Sequence, residues 1–221
     1  IKMALKYIDQ AELDGKRVLA RFDFNVPLDK EDSSVITDTS RIDLALPTIK
    51  LILESGAKQL TLMSHLGRPN GKVDPKFSME PVGKYLAEKL GTDVILAESA
   101  VDAGVKDLLT LNTTKIVLLE NLRFHPEEEQ DDEEFAGKLA QYGEVYVNDA
   151  FGAAHRKHAS VHVINKYFTA RSYGGLLLKK EITALDTILN QPKKPFVAVV
   201  GGAKVSDKVK TIEKLIVSVD S

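Results

Sequence analysis

The 221 residues predict a Rossmann-like α/β fold, a parallel sheet with helices on both faces. Three observations predict it. Short apolar runs alternate along the chain with longer segments of helical periodicity. The runs are continuous in apolar residues instead of alternating with polar ones, as in strands covered on both sides. Hydrophobic residues make up 43% of the chain, enough to fill the cores that two such faces require.

The first run, RVLARFDF (17–24), is short and apolar with a polar end, and reads as a buried strand. RIDLALPTIKLILESG (41–56) carries apolar residues at helical spacing and closes on Ser55-Gly56, a helix stop. Pro47 falls inside it and predicts either a kink or a late start. KQLTLMS (58–64) follows as a strand, then SMEPVGKYLAEKLG (78–91) as a helix with Ser78 as its cap. VIL (94–96), KIVLLE (115–120) and EVYVN (144–148) read as further strands, with DEEFAGKLAQYG (132–143) a helix between the last two.

A second unit begins late. KKEITALDTIL (179–189) reads as a connecting helix, the breaker-rich NQPKKP (190–195) as a hinge, PFVAVVGG (195–202) as a strand, and SDKVKTIEKLIVSV (206–219) as a helix capped by Ser206. One strand and one helix cannot make a sheet, so the expected organisation is a domain over 1–173, a linking helix and hinge over 174–194, and the truncated start of a similar domain over 195–221.

Composition narrows the function classes. Without cysteine there are no disulfides, thiolate metal sites or cysteine nucleophile. No secretory leader or membrane-length apolar run is evident, and a reducing, cytoplasmic compartment is expected. The net charge of −2 hides an asymmetry: 127–134 reads EEEQDDEE, and taking its seven acids from the 32 leaves 25 against 30 basic residues, a net of +5. That run reads as a solvated loop and helix start, where acids favour the helix dipole, and its spacing fits no metal. A pI near 6.3 and the lack of interleaved aromatics argue against a nucleic-acid partner.

Ligands of open parallel sheets bind beyond the carboxyl ends of the strands. Four predicted strand ends carry polar clusters there: Asp23-Phe24-Asn25 with Arg41 after the next loop, His65-Leu66-Gly67-Arg68, Asn121 to His125 including Arg123, and Asn148 onward through His155, Arg156 and His158. Singly, each is weak. A lone arginine after a strand is ordinarily a surface residue, His155 and His158 lack a third metal ligand, and His125 and His162 read as structural. Together they make a crown of Arg and His suited to a small anion. A separate loop, Gly201-Gly202-Ala203-Lys204-Val205-Ser206-Asp207-Lys208, joins a strand to a helix in the manner of a phosphate cradle, yet fits neither Walker A nor G-x-G-x-x-G spacing.

In order, RFDFNVP, SHLGRP, ENLRF, NDAFGAAHRKHAS and GGAKVSDK resemble the phosphoglycerate kinases over nearly the whole chain. The resemblance implies a two-domain glycolytic kinase that moves a phosphoryl group reversibly between 1,3-bisphosphoglycerate and ADP, giving 3-phosphoglycerate and ATP. It implies that Asp23 and Asn25 meet the glycerate hydroxyl region, that His65, Arg68, Arg123 and Arg156 hold the 3-phosphate with His155 and His158 adding to the basic patch, that Arg41 meets the carboxyl or acyl-phosphate end, and that Phe24, Leu66 and Gly67 also belong to the substrate site. Arg41 and Lys204 become the catalytic pair, brought together by hinge closure. Gly201, Gly202, Ala203, Lys204 and Lys208 take the nucleotide, with Mg2+ bound alongside ADP or ATP by ligands outside this sequence. No metal ligand is expected within the chain. A monomer with small-molecule substrates and no membrane or nucleic-acid partner is implied. The alternative is that the 221 residues by themselves only bind phosphoglycerate, without kinase activity. Ala153 stands where many members carry Thr.

Overall fold

The computed structural model describes residues 5–111, 114–190 and 193–200, with 209, 212, 213 and 219 beyond them. Contacts gather into two compact units, Ile1–Lys179 and Lys180–Ser221. The first is built on six parallel strands, β1 (Arg17–Arg21), β2 (Gln59–Met63), β3 (Ile95–Leu96), β4 (Ile116–Leu118), β5 (Val145–Asn148) and β6 (Ser172–Gly174), in the order β3-β4-β2-β1-β5-β6.

Side chains of β1 alternate between two cores. Val18 and Ala20 pack on one face with Leu60, Leu62, Ile116 and Val147, beneath α1 (Ser40–Glu54) and α2 (Glu80–Leu90). Leu19 packs on the other with Val117 and Tyr146, beneath α3 (Ala103–Thr110) and α5 (Glu133–Ala140), the latter preceded by a four-residue α4 (Pro126–Glu129). The chain then leaves β6 through α6 (Leu176–Asn190).

Several expectations are adjusted by tertiary structure. α1 begins at Ser40 and runs through Pro47, so the late start does not occur. The 17–24 strand stops at Arg21, although Phe22 and Phe24 continue buried, their rings stacked at 5.3 Å. Ser78 shares its capping role. Its hydroxyl accepts from Glu80 N at 3.2 Å, but Glu120, from the end of the β4 segment, accepts from Met79 N at 2.8 Å and from the Ser78 hydroxyl. β6 and α3 were not anticipated. Nor is a strand formed in 195–200. An extended segment becomes a strand only when it joins a ladder of backbone hydrogen bonds, and 195–200 carries no strand; Val197, Val199 and Val200 are exposed. Of the predicted helix over 206–219, Val209, Ile212 and Glu213 are helical and most of the rest lies outside the described residues.

The acidic run is less solvated than expected. Glu128 is wholly buried, Glu129 pairs with Arg123, Asp131 with His162 and Glu133 with Lys166, while Asp132 caps α5 by accepting from Phe135 N. The run reads as surface because partners distant in sequence, such as Ser160 and His162, cannot be seen locally.

Candidate active site

The connection from β1 leads to β2 on one side, and that from β5 leads to β6 on the other. Parallel sheets open a crevice where connections diverge in this way, so the segments after β1 and β5 meet at the carboxyl edge. There Arg41 Nη1 donates to Asp23 Oδ2 at 2.6 Å, and a Cβ on Gly152 would lie 2.6 Å from that same oxygen. The absent side chain at Gly152 is what allows the two segments to approach. Arg41 keeps about half its side chain exposed, whereas Asp23 is mostly covered.

The segment after β2 is locked to its neighbours through backbone bonds. Gly67 N donates to Asn25 Oδ1 at 2.8 Å and Gly67 O accepts from Arg123 Nη1 at 2.9 Å. Gly67 adopts φ +61, and a Cβ there would fall 2.4 Å from the Phe77 ring, so glycine is required on both counts. Asn121, fully buried, binds Leu66 through both N and O and also accepts from Arg123 N. Leu66 itself is buried; it anchors the segment with its backbone and presents no polar side chain.

Arg123 is 4% exposed, and its Nε lies 3.3 Å from Glu129 Oε1 without a well-aligned hydrogen bond. Desolvation holds its pKa below the usual arginine value, with Arg156 and Arg21 adding repulsion and Glu129 opposing it. His65 is buried beside Arg21. Burial first, then the charges of Arg21, Arg123, Arg156 and His158, push its pKa far below the usual imidazole range. His158 is also pushed down by burial, against the pull of Glu128, whose Oε1 stands 3.8 Å from its Nδ1.

His65, Arg123, Arg156 and His158 are therefore gathered into one electrostatic cluster, and Asp23, Asn25 and Arg41 line the segment beside it. Arg68 and His155 are exposed, and among the described residues no contact ties either to the cluster. Gly201, Gly202, Ala203, Lys204 and Lys208 lie outside the described residues. A cleft of about 180 Å³ opens next to the cluster, between Asn25, Val26, Leu66, Gly67, Lys76 and Phe77. No group of three or more His, Asp or Glu side chains suited to a metal occurs among the described residues.

Sequence reasoning missed Arg21, Glu128 and Ser160. Arg21, 1% exposed, lies on the α5 side of β1, where its Nε donates to Ser160 Oγ at 2.9 Å. Ser160 Oγ donates to Glu128 Oε1 at 2.6 Å, and its N–H to Glu128 Oε2 at 2.9 Å. The available signal was an arginine inside an otherwise apolar strand.

Comparison with known proteins places this arrangement. The family model for phosphoglycerate kinase matches residues 8–221. A phosphoglycerate kinase of Anaeromyxobacter sp. (strain Fw109-5) is 51% identical over 99% of this chain and 55% of its own length. One from Chlorobaculum tepidum is 49% identical over 99% and 54%. Among solved structures, phosphoglycerate kinase from Coxiella burnetii superposes with a TM-score of 0.80 at 37% identity, covering 98% of this chain and 53% of that one. The Pyrococcus horikoshii enzyme gives 0.82 at 29% identity, covering 96% and 52%. The chain thus spans about half the length of the relatives it matches. With the five ordered motifs, the parallel sheet and the family match in agreement, the chain belongs to the phosphoglycerate kinase family.

Proposed function

We propose that this chain is the phosphoglycerate-binding part of a phosphoglycerate kinase. A protein spanning the full length of its relatives would then transfer a phosphoryl group reversibly between 1,3-bisphosphoglycerate and ADP, giving 3-phosphoglycerate and ATP. One observation carries the reading: His65, Arg123, Arg156 and His158, from three different strand ends, converge on one edge with Arg41, Asp23 and Asn25 alongside.

The chemistry suits that assignment. A phosphate dianion is matched by fixed guanidinium forks that are already desolvated, as Arg123 is. Arg68 and His155, both exposed, are assigned to the same anion on the family resemblance. The acceptor carboxylate is ionised at neutral pH and requires no general base, so the protein's task is positioning and charge stabilisation. Arg41 is assigned to the reacting end, where its exposed guanidinium can exchange Asp23 for developing negative charge. Nucleotide binding, with the Mg2+ that neutralises its phosphates, is assigned to 201–208 together with the part of the relatives' length that this chain does not span. Lys204 is the proposed catalytic partner of Arg41. Monomeric action in the cytoplasm is part of the same proposal. Among the described residues no helix is long and apolar enough to cross a membrane.

Calorimetry of the 221-residue chain with 3-phosphoglycerate tests the binding half. Binding is expected at low salt, weakening as salt screens the anion. Equal affinity for glycerate, which lacks the phosphate, would overturn it.

A further inference from the structure

Arg21 and His65 form a pair whose geometry contains more than proximity. Arg21 Nη2 and His65 Nδ1 are 3.0 Å apart, both side chains being buried. Arginine offers only N–H donors and does not lose its proton in proteins. The contact is therefore a hydrogen bond only when His65 Nδ1 is bare and acts as acceptor. An imidazole with a bare Nδ1 carries its single proton on Nε2.

The rest of the guanidinium is held so that it cannot turn away. Nε donates to Ser160 Oγ, and Nη1 to the Phe22 carbonyl, with Ser64 Oγ a longer partner at 3.4 Å. The Ser160 hydroxyl has one proton, and it is spent on Glu128 Oε1 at 2.6 Å, so towards Arg21 the oxygen can only accept. The chain of donation runs in one direction, from Arg21 through Ser160 to Glu128, whose carboxylate also lies 4.0 Å from Arg21 Nη2 as its counter-charge.

We infer that Arg21, oriented by Ser160 and Glu128, is a positioning residue that locks His65 as the neutral Nε2–H tautomer, making it a fixed uncharged donor towards the substrate anion. What the donor faces rests on the phosphoglycerate reading above; the tautomer itself does not. The groups around the ring agree with a neutral imidazole. Arg21 faces it from β1, Arg123 from the segment after β4, and Arg156 and His158 from the segment after β5, all of them opposing an added positive charge. The acids on α4 are engaged elsewhere: Glu128 with Ser160, Arg21 and His158, and Glu129 with Arg123. An imidazolium at this position would give anion binding that strengthens on acidification through the ordinary histidine range. A locked neutral donor gives no such gain.

The test is nitrogen-15 NMR of the histidine rings in the ligand-free 221-residue chain, with long-range couplings that separate the two tautomers and the imidazolium. His65, assigned by a His65→Gln variant, should show a single Nε2–H tautomer unchanged from about pH 5 to 8. Titration of His65 in that range, or an Nδ1–H tautomer, would overturn the inference. In the paired variant Arg21→Met/Glu128→Gln, which removes the donor without stranding a buried carboxylate, His65 should become a mixture of tautomers. An unchanged single tautomer there would overturn the role of Arg21. Should that variant fail to fold, the wild-type spectrum still decides. Because the readout needs no ligand, its failure is separate from failure of 3-phosphoglycerate to bind.

Discussion

Removing the Asp149 carboxylate should unhook the start of α6. Asp149 is 1% exposed at the end of β5; one oxygen accepts from Thr48 Oγ1 at 2.6 Å and the other from Leu178 N at 2.9 Å, and Leu177 N also bonds the carboxylate. Thr48 Oγ1 in turn accepts from Leu176 N at 3.0 Å. Three of the first N–H groups of α6, which have no intrahelical partner, are thereby satisfied from two other elements. Asp149→Ala leaves two backbone donors and a hydroxyl without an acceptor. Each stranded group costs about 1–3 kcal/mol when buried; Thr48 and Leu178 are buried and Leu177 is half-buried, but water can enter the space the carboxylate vacates. The low end applies to each, for a loss of about 3 kcal/mol. Thr48→Val strands one N–H and removes one donor, for about 1–2 kcal/mol. Urea unfolding of both variants, with hydrogen exchange at residues 176–178, measures these losses. An Asp149→Ala variant within about 0.5 kcal/mol of wild type would refute the reasoning. The pH dependence has a definite sign. Burial raises the Asp149 carboxyl above its ordinary 3.8, outweighing the Thr48 and backbone bonds, so the folded protein holds the proton more tightly than the unfolded chain. Relative to Asp149→Asn, the wild type should gain stability as pH falls through the raised value towards 3.8, and lose that gain as pH rises.

Gly67→Ala forces a left-handed conformation on a side-chain-bearing residue and drives its Cβ into Phe77, for a destabilisation of about 2 kcal/mol by urea unfolding. Because Gly67 also holds Asn25 and Arg123, calorimetry should show weaker 3-phosphoglycerate binding; wild-type affinity would separate that loop from the site. Arg41→Ala, in a version spanning the full length of the relatives, should lower kcat by on the order of 100-fold, about 2.7 kcal/mol, with a smaller change in KM. Its half-exposed pair with Asp23 contributes under about 1 kcal/mol to folding, so a wild-type kcat would leave Arg41 as a surface residue.

The sheet was legible wherever strands are buried on both faces, because continuous apolar runs such as 115–120 survive without knowledge of their neighbours. β6 was not, since Ser-Tyr-Gly has no apolar pattern and becomes a strand only through β5 on one side and Tyr7 on the other. α3 does have a local mark in the sequence, since Asp102 caps it, accepting from Val105 N at 2.9 Å. At the site, the cluster of His65, Arg123, Arg156 and His158 was visible because strand ends are where parallel sheets place such residues. Arg21 and Glu128 were not. A buried charge is defined by its partner, and these partners lie 32 residues apart for Glu128 and Ser160, and 139 for Arg21 and Ser160.

The position of β1 has a consequence for how the protein is made. Its two neighbours are β2, some 40 residues later, and β5, for which Val18 is in register with Val145. At a synthesis rate of about 5–20 residues per second, the second edge of that strand waits roughly 6–25 s for its partner. Through that interval the nascent chain presents an open apolar edge, the kind that recruits stray strands. The last seam closes later still, when Gly174 N reaches the Lys6 carbonyl and Lys179 reaches Asp9. The segments entering and leaving the first unit thus lie side by side, and its sheet is completed when residues 6–9 meet residues 174–179, the last of that unit to emerge.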